Sequence, residues 1–218
     1  MIAVLDYGIG NLRSAEKALQ RAGGDARLTS DPEEAAAADG VVLPGVGAFG
    51  RCLEALRASG LDRVALAAVE AGKPFMGICV GMQMMYESSE EDPEARGLAL
   101  LAGRVVRLPE GEKHPQMQWN QVHTLRNDSR LLKGCGPAPW FYFVHSYAPE
   151  ISEAVVATCD YGGPVTAAVE VGNVWATQFH PEKSGTAGLT LLGNFAAACA
   201  AAAAAGAPTG AGTAGSVG

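Results

Sequence analysis

The chain has no surplus of positive charge: 16 Lys and Arg stand against 23 Asp and Glu, a formal net charge of −7 over 218 residues. With no basic field and no Lys/Arg block there is nothing to hold a phosphate backbone, so no nucleic acid is expected as a partner. Long apolar runs are lacking too. No segment reads as the roughly 20 strongly apolar residues of a bilayer span. The start, MIAVLDYG, carries neither the basic region nor the apolar stretch of a signal peptide. The expectation is no membrane association and a cytoplasmic location. Cysteine is scarce and unpatterned: Cys52, Cys79, Cys135, Cys159 and Cys199 are scattered, odd in number and form no C-x-x-C pair. That argues against a disulfide framework and against structural zinc. Four of the five read as small packing residues. The histidines add no metal-ligand spacing, with His114 read as a solvated loop residue and His123 as part of a strand face. No metal and no other cofactor is expected, and there is no internal repeat.

What the chain does have is a 48% hydrophobic content, enough for one domain with a sizeable core. The first half alternates between two periodicities. IAVLDY reads as a buried strand, and NLRSAEKALQRAG as a helix with Leu12, Ala15, Leu19 and Ala22 on one face. ARLT is a short strand, and DPEEAAA opens with Asp31 as a cap and Pro32 at the first helical position. GVVLP, helix over CLEALRASGLDRVALAAVEAG, and PFMGI follow. Such alternation implies a parallel sheet covered on both faces. In the second half GRVVRL, NQVHTL, WFYFVHSY, AVVATCDY, PVTAAVEV and NVWATQF are strand candidates that add antiparallel pairs, before a helix from about Gly185. The reading is α/β: a single domain over residues 1–205 with a mixed central sheet, parallel core plus antiparallel additions, flanked by helices. Residues 206–218 are low in complexity and are expected to be a disordered tail.

In such sheets ligands collect at the carboxyl ends of the strands, and Cys79 falls at one. Gly77-Ile78-Cys79-Val80-Gly81 is the thiol counterpart of G-x-S-x-G, in which small flanking residues permit a sharp strand-to-helix turn that presents a nucleophile. The helix that follows aims its free N–H groups and positive end at the sulfur, which favours thiolate. A thiolate still needs a proton donor for the leaving group and an orienter for that donor. QFHPEKS offers both: His180 lies just past a strand, and Glu182 is two residues on, on the same side if the backbone stays extended. A carboxylate so placed holds an imidazole in one tautomer.

PGVGAFG, after the third strand, matches G-x-G-x-x-G through Gly45, Gly47 and Gly50. A dinucleotide site is rejected, because the match follows the third strand rather than the first and Asp62 falls in helix. YGIGN has Arg13 where the third glycine belongs. The other reading of PGVG is a flexible backbone whose N–H groups face an oxyanion beside Cys79.

These residues resemble the triad-type glutamine amidotransferases. Within them the likeness is to the glutaminase subunits of imidazole glycerol phosphate synthases: DYGIGNLRSA, LPGVGAFG, GICVGMQMMYESSEE, MQWN, YFVHSY and QFHPEKSG resemble that family's blocks in order, from about Ile2 to Phe195. The resemblance implies a flavodoxin-like class I glutamine amidotransferase fold, with Cys79 attacking the carboxamide of glutamine, His180 protonating ammonia and Glu182 orienting His180. It also implies an oxyanion hole from Val80 and from the backbone at Val46 or Gly47. Glutamine would be held by Gly47, Gln83 and the backbone of His145, Ser146 and Tyr147. The implied partner is a (β/α)8 cyclase that receives the ammonia and makes imidazole glycerol phosphate and an aminoimidazole carboxamide ribotide, with Asn11, Trp119, Tyr142 and Lys183 facing it. Without the resemblance those four would read as a helix cap, two core aromatics and a solvated charge. One block departs from the family: where Pro-His-Met-Gly-Trp-Asn is common, this chain has Pro115-Gln116-Met117-Gln118-Trp119-Asn120. The alternatives are the glutaminase of another synthase, a stand-alone glutamyl-amide hydrolase, and a non-catalytic flavodoxin-like binding module.

Overall fold

Eight strands form the central sheet of the computed structural model, which describes residues 1–10 and 12–206. Asn11 and most of the expected tail lie outside the described residues. The first half runs β1 (Ile2–Leu5), α1 (Leu12–Arg21), β2 (Ala26–Thr29), α2 (Pro32–Ala37), β3 (Gly40–Gly45), α3 (Phe49–Ala58), α4 (Leu61–Glu70), β4 (Phe75–Cys79) and α5 (Val80–Met84). The alternation read from sequence is present, with one correction. The stretch expected as helix forms two, because Gly60 takes a left-handed φ of +75° and turns the chain between α3 and α4. At α2 the Asp31 side chain accepts from the Glu33 N–H, as a capping residue should.

The second half holds β5 (Ser88–Ser89), β6 (Asp92–Arg96), β7 (Arg104–Arg107), β8 (Gln116–Gln121), β9 (His123–Thr124), β10 (Trp140–His145), β11 (Tyr147–Pro149), β12 (Val155–Asp160), β13 (Pro164–Val171), β14 (Val174–Thr177), a 3₁₀ turn (Pro181–Lys183) and α6 (Gly185–Gly206). The β5–β6 hairpin, mostly polar, and β8, a short alternating run with only Met117 and Trp119 apolar, are strands not expected from the sequence. NQVHTL, expected as one strand, is divided between two. Asn120 and Gln121 instead end β8, whereas His123 and Thr124 pair with β12 in the central sheet.

The sheet order is β2-β1-β3-β4-β14-β13-β12-β9. Strands β2 to β14 in that order are parallel, and β13, β12 and β9 continue antiparallel. This is the mixed sheet expected. β1, β3 and β4 are buried along their whole length, as a sheet covered on both faces requires. β8 and β10 form a separate two-stranded ribbon beside the parallel strand ends. One face of the ribbon packs inward through Phe141, Phe143 and His145, with Phe141 stacked on Phe179 at 3.9 Å between centroids.

Contrary to the sequence expectation, one helix is long and apolar enough to cross a membrane by length and composition. That helix, α6, owes its apolar character largely to alanine, and Leu191, Leu192, Phe195 and Cys199 pack into the core. The cysteines are all free, and burial pushes the thiols of Cys135, Cys159 and Cys199 up to about 11, 11 and 12, as inert packing residues require.

Candidate active site

Three neighbouring parallel strands end at one place. β4 lies between β3 and β14, with Cys79 opposite Gly45 on one side and Ile78 opposite Thr177 on the other. The segments that leave their carboxyl ends are the elbow at Cys79, the glycine-rich loop after Gly45, and Gln178-Phe179-His180 after Thr177. A hundred residues of chain separate Cys79 from His180, yet strand pairing makes them neighbours.

Cys79 has φ 55° and ψ −114°, a backbone conformation that side chains other than glycine rarely adopt. Strain of this kind costs on the order of 1–3 kcal/mol and persists only where the surroundings impose it. Here α5 imposes it by packing directly on the sheet. A Cβ on Gly81 would stand 1.8 Å from the Leu43 carbonyl oxygen, and one on Gly77 would meet the Met85 sulfur at 2.5 Å and Met82 backbone at 2.9 Å. The glycines of G-x-C-x-G are therefore demanded by backbone contact. Gly81→Ala is expected to force α5 off β3 and lower stability by about 2–4 kcal/mol, read as a drop in the urea midpoint. An unchanged midpoint would show that the helix is not pinned there.

His180 leaves β14 with φ −98° and ψ 94°, but the extended backbone ends there. Pro181–Lys183 form a 3₁₀ turn, so Glu182 does not reach the ring by strand alternation as the sequence reading supposed. The turn brings the carboxylate round to His180 all the same: Nδ1 to Glu182 Oε1 is 2.8 Å, with side chains only 2% and 7% exposed. Ser184 secures the turn by donating to the His180 carbonyl at 2.6 Å and accepting from the Tyr142 N–H at 3.0 Å. The other ring nitrogen, Nε2, is buried without a well-formed hydrogen bond. Its neighbour is Cys79: burial pulls the imidazole pKa down, but hydrogen bonding to and attraction by the Cys79 sulfur and the Glu182 carboxylate outweigh it, and the net value is raised to about 9. At neutral pH the ring is therefore a cation.

Both groups face a cavity of about 490 Å³ lined by Val46, Gly47, Cys79, Val80, Gln83, Glu91, Pro115, Val144, His145, Ser146, Tyr147, His180 and Lys183. Every residue named from sequence for the triad, the oxyanion hole and substrate holding is in contact with this space except Glu182, which stands behind His180. Gln83 is buried, with its amide donating to the Tyr147 carbonyl at 2.8 Å and to Gln178 Oε1 at 3.1 Å. His145 donates from Nδ1 to the same Tyr147 carbonyl, and burial lowers its pKa to about 4, so it stays neutral. The two remaining partner-facing candidates lie outside the cavity: Trp119 and Tyr142 pack edge to face at 6.1 Å. Lys183 sits 5.9 Å over the Tyr142 ring. Trp119 is 47% exposed and so is not the core aromatic that its composition would indicate. His114, read as solvated, is half-buried with Nδ1 enclosed.

Two polar residues of the site were not expected from the sequence, Gln178 beside the Cys79 sulfur and Glu91 on the cavity lining. Gln178, fully buried, donates toward the Cys79 sulfur at 3.8 Å. It precedes His180 by two, the one signal that could have marked it. Glu91 takes the Phe49 N–H at 2.8 Å and so ties the start of α3 to the cavity rim, and nothing in ESSEED distinguishes it from its acidic neighbours. Among the described residues no group of His, Cys, Asp or Glu is arranged to hold a metal. A sulfur on a strained backbone beside a buried imidazolium is equipped for acyl transfer: nucleophile and proton donor face one cavity, and the orienting carboxylate stands behind the ring.

Comparison with known proteins agrees with this chemistry. A family model described as glutamine amidotransferase class-I matches residues 3–199. The chain is 53% identical over 196 residues to the imidazole glycerol phosphate synthase subunit HisH of Methanothermobacter thermautotrophicus, covering 89% of this chain and 97% of that one. It is 49% identical over 208 residues to the HisH subunit of Natronomonas pharaonis, covering 91% and 94%. A solved structure described as a glutamine amidotransferase superposes with a TM-score of 0.71 over 90% of this chain and 98% of that one. At 22% identity that likeness speaks for the fold alone.

Proposed function

Because the chain belongs to the class-I glutamine amidotransferase family, we propose that it is the glutaminase subunit of an imidazole glycerol phosphate synthase, hydrolysing glutamine to glutamate and ammonia. The observation that carries this reading is the meeting of Cys79 with the His180–Glu182 pair in one cavity at the ends of adjacent strands. Cys79, its proton held on His180, attacks the carboxamide carbon of glutamine as a thiolate. The negative charge that develops on oxygen is taken by N–H groups of Val80, at the start of α5, and of the Val46–Gly47 loop. His180 passes its proton to the departing nitrogen, leaving a glutamyl thioester and free ammonia. The now neutral ring takes a proton from water, which attacks the thioester and releases glutamate. Glu182 keeps Nδ1 protonated throughout, so that Nε2 does the exchange. Glu91, the carboxylate on the rim, suits the α-ammonium of glutamine.

The raised pKa of His180 fixes the sign of the pH dependence. The donor is loaded below about 9 and emptied above it, so turnover of glutamine is expected to fall as pH rises through that value. Glu182→Gln removes one of the two groups that hold the proton. It should lower turnover on the order of 10²-fold and move the alkaline limb to lower pH. An unmoved limb in the pH-rate profile would separate Glu182 from His180.

Ammonia released into water is lost as ammonium, so the site calls for a receiver. The outer face of the β8–β10 ribbon supports one: Met117, Trp119 and Trp140 are 64%, 47% and 52% exposed, and Val144 of the same ribbon lines the cavity. We assign this face, with Tyr142 and Lys183, to docking of a (β/α)8 cyclase. Trp119→Ala is expected to weaken the complex by about 2–4 kcal/mol, the loss typical of a central aromatic anchor, measured by titration calorimetry. Affinity within twofold of wild type would place the partner elsewhere. The proposal as a whole is tested by glutamine turnover with and without the cyclase and its ribotide substrate. Strong turnover by the lone chain would point to a stand-alone hydrolase.

A further inference from the structure

The Pro44–Gly47 segment has a front and a back. Its front, through Val46 and Gly47, lines the cavity with Cys79. At its back stand two buried side chains that the mechanism above leaves unused. Tyr7, at the end of the segment leaving β1, donates its hydroxyl hydrogen to the Pro44 carbonyl at 2.6 Å. Cys52, wholly buried on α3, donates its S–H to the Val46 carbonyl at 3.2 Å. Burial above all pushes the Cys52 thiol up to about 11, with the Tyr7 hydroxyl close enough to act on it, so the sulfur keeps its proton and remains a donor at neutral pH.

A trans peptide is planar, and its carbonyl and the following N–H point in opposite directions. Holding the Val46 carbonyl against Cys52 at the back therefore turns the Gly47 N–H to the front. Gly47 has a φ of +94°, and no described residue accepts a hydrogen bond from its N–H. The back of the loop is also tightly filled: a Cβ on Gly45 would lie 3.0 Å from the Tyr7 hydroxyl and 2.8 Å from the Gly81 nitrogen of the elbow helix. Loop, clamp and elbow form one packed stack.

We propose that Cys52 and Tyr7 are positioning residues of the oxyanion hole, fixing the Val46 and Pro44 carbonyls from behind so that the Gly47 N–H faces the oxygen of the carboxamide attacked by Cys79. The proposal rests on the amidotransferase reading above. It assigns work to a cysteine that the sequence reading left as packing.

The test compares wild type, Cys52→Ala, Cys52→Ser and Tyr7→Phe in the cyclase complex, with glutamine kinetics, amide NMR spectra and thermal unfolding measured on each. Cys52→Ala is expected to lower kcat about tenfold with KM within about twofold, since the loop is misaligned toward the transition state and not toward bound glutamine. Cys52→Ser should recover much of the loss, because its hydroxyl can donate to the same carbonyl, and Tyr7→Phe should give a smaller fall in kcat. The Gly47 amide resonance should move in Cys52→Ala and return toward its place in Cys52→Ser. Wild-type kcat in Cys52→Ala with an unmoved Gly47 resonance overturns the proposal, and so does an equal loss in the Ala and Ser variants. Wild type keeps the two claims apart: if it hydrolyses no glutamine the amidotransferase reading fails, while the Gly47 resonance still reports whether Cys52 holds the loop.

Discussion

Replacing Cys79 by alanine is expected to reduce glutamine hydrolysis on the order of 10⁴-fold or more, equivalent to about 5.5 kcal/mol of transition-state stabilisation. The size follows from the kind of group removed. In the proposed mechanism His180 and Glu182 move and orient a proton, but neither can form the thioester, so without the sulfur only slow attack by water, aided by the oxyanion hole, remains. The fold should survive, because alanine keeps the side of the elbow that packs against β3, and it relieves no contact on which α5 depends. Glutamine and cyclase should therefore still bind. The decisive measurement is glutamate release in the assembled complex, with binding by calorimetry as the control. Retained turnover in a well-folded Cys79→Ala protein would refute the proposed nucleophile and leave the binding-module alternative standing.

The second large effect is expected at His180. His180→Ala removes the proton donor, and turnover should fall about 10²–10⁴-fold, the range for loss of a positioned acid-base group. Part of the reason lies in burial. The ring is 2% exposed, so no bulk water replaces it as a donor, and the Glu182 carboxylate is left enclosed without its cation. Three further outcomes follow. The alkaline limb near pH 9, which belongs to the ring, should vanish from the residual activity. Stability should also lose its alkaline dependence there. A group raised from its ordinary 6.5 to about 9 on folding contributes stability that is complete below about 6.5 and gone once pH exceeds about 9. Added imidazole, which fits the space vacated, should restore some turnover. A variant with wild-type rates, or with the same alkaline limb, would remove His180 from the mechanism.

Much of the site was legible because its residues sit where a strand hands over to something else. Cys79 was marked by glycines on both sides, and the structure gives the reason: at Gly81 there is no room for a Cβ beside the Leu43 carbonyl. His180 and Glu182 were marked by their spacing after an apolar strand, although the sequence reading had the wrong backbone between them. The 3₁₀ turn that joins them is held by Ser184 and the Tyr142 backbone, partners more than forty positions apart that no local pattern reveals. Glu91, Gln178 and the Cys52 thiol were invisible for the same reason, since each acts through a contact made by another part of the chain. β8 was not legible because four of its six residues are polar and most of it stays exposed, so that pairing with the distant β10 is what makes it a strand.

By itself the amino-acid order determined which segments are strands and helices in the parallel half, the bend at Cys79, and the positions of the cysteine and histidine proposed as nucleophile and proton carrier, all properties of short stretches set by backbone sterics and hydrophobic period. Only the tertiary structure decided that β4 lies between β3 and β14, so that three chain segments meet at one cavity. It alone decided which face of the ribbon is left open to solvent and which carbonyl of the glycine-rich loop is held from behind. The physical reason is that hydrogen-bonded pairing between strands, and the burial that follows from it, are interactions between residues distant in the chain, and their geometry is settled by all of the partners together.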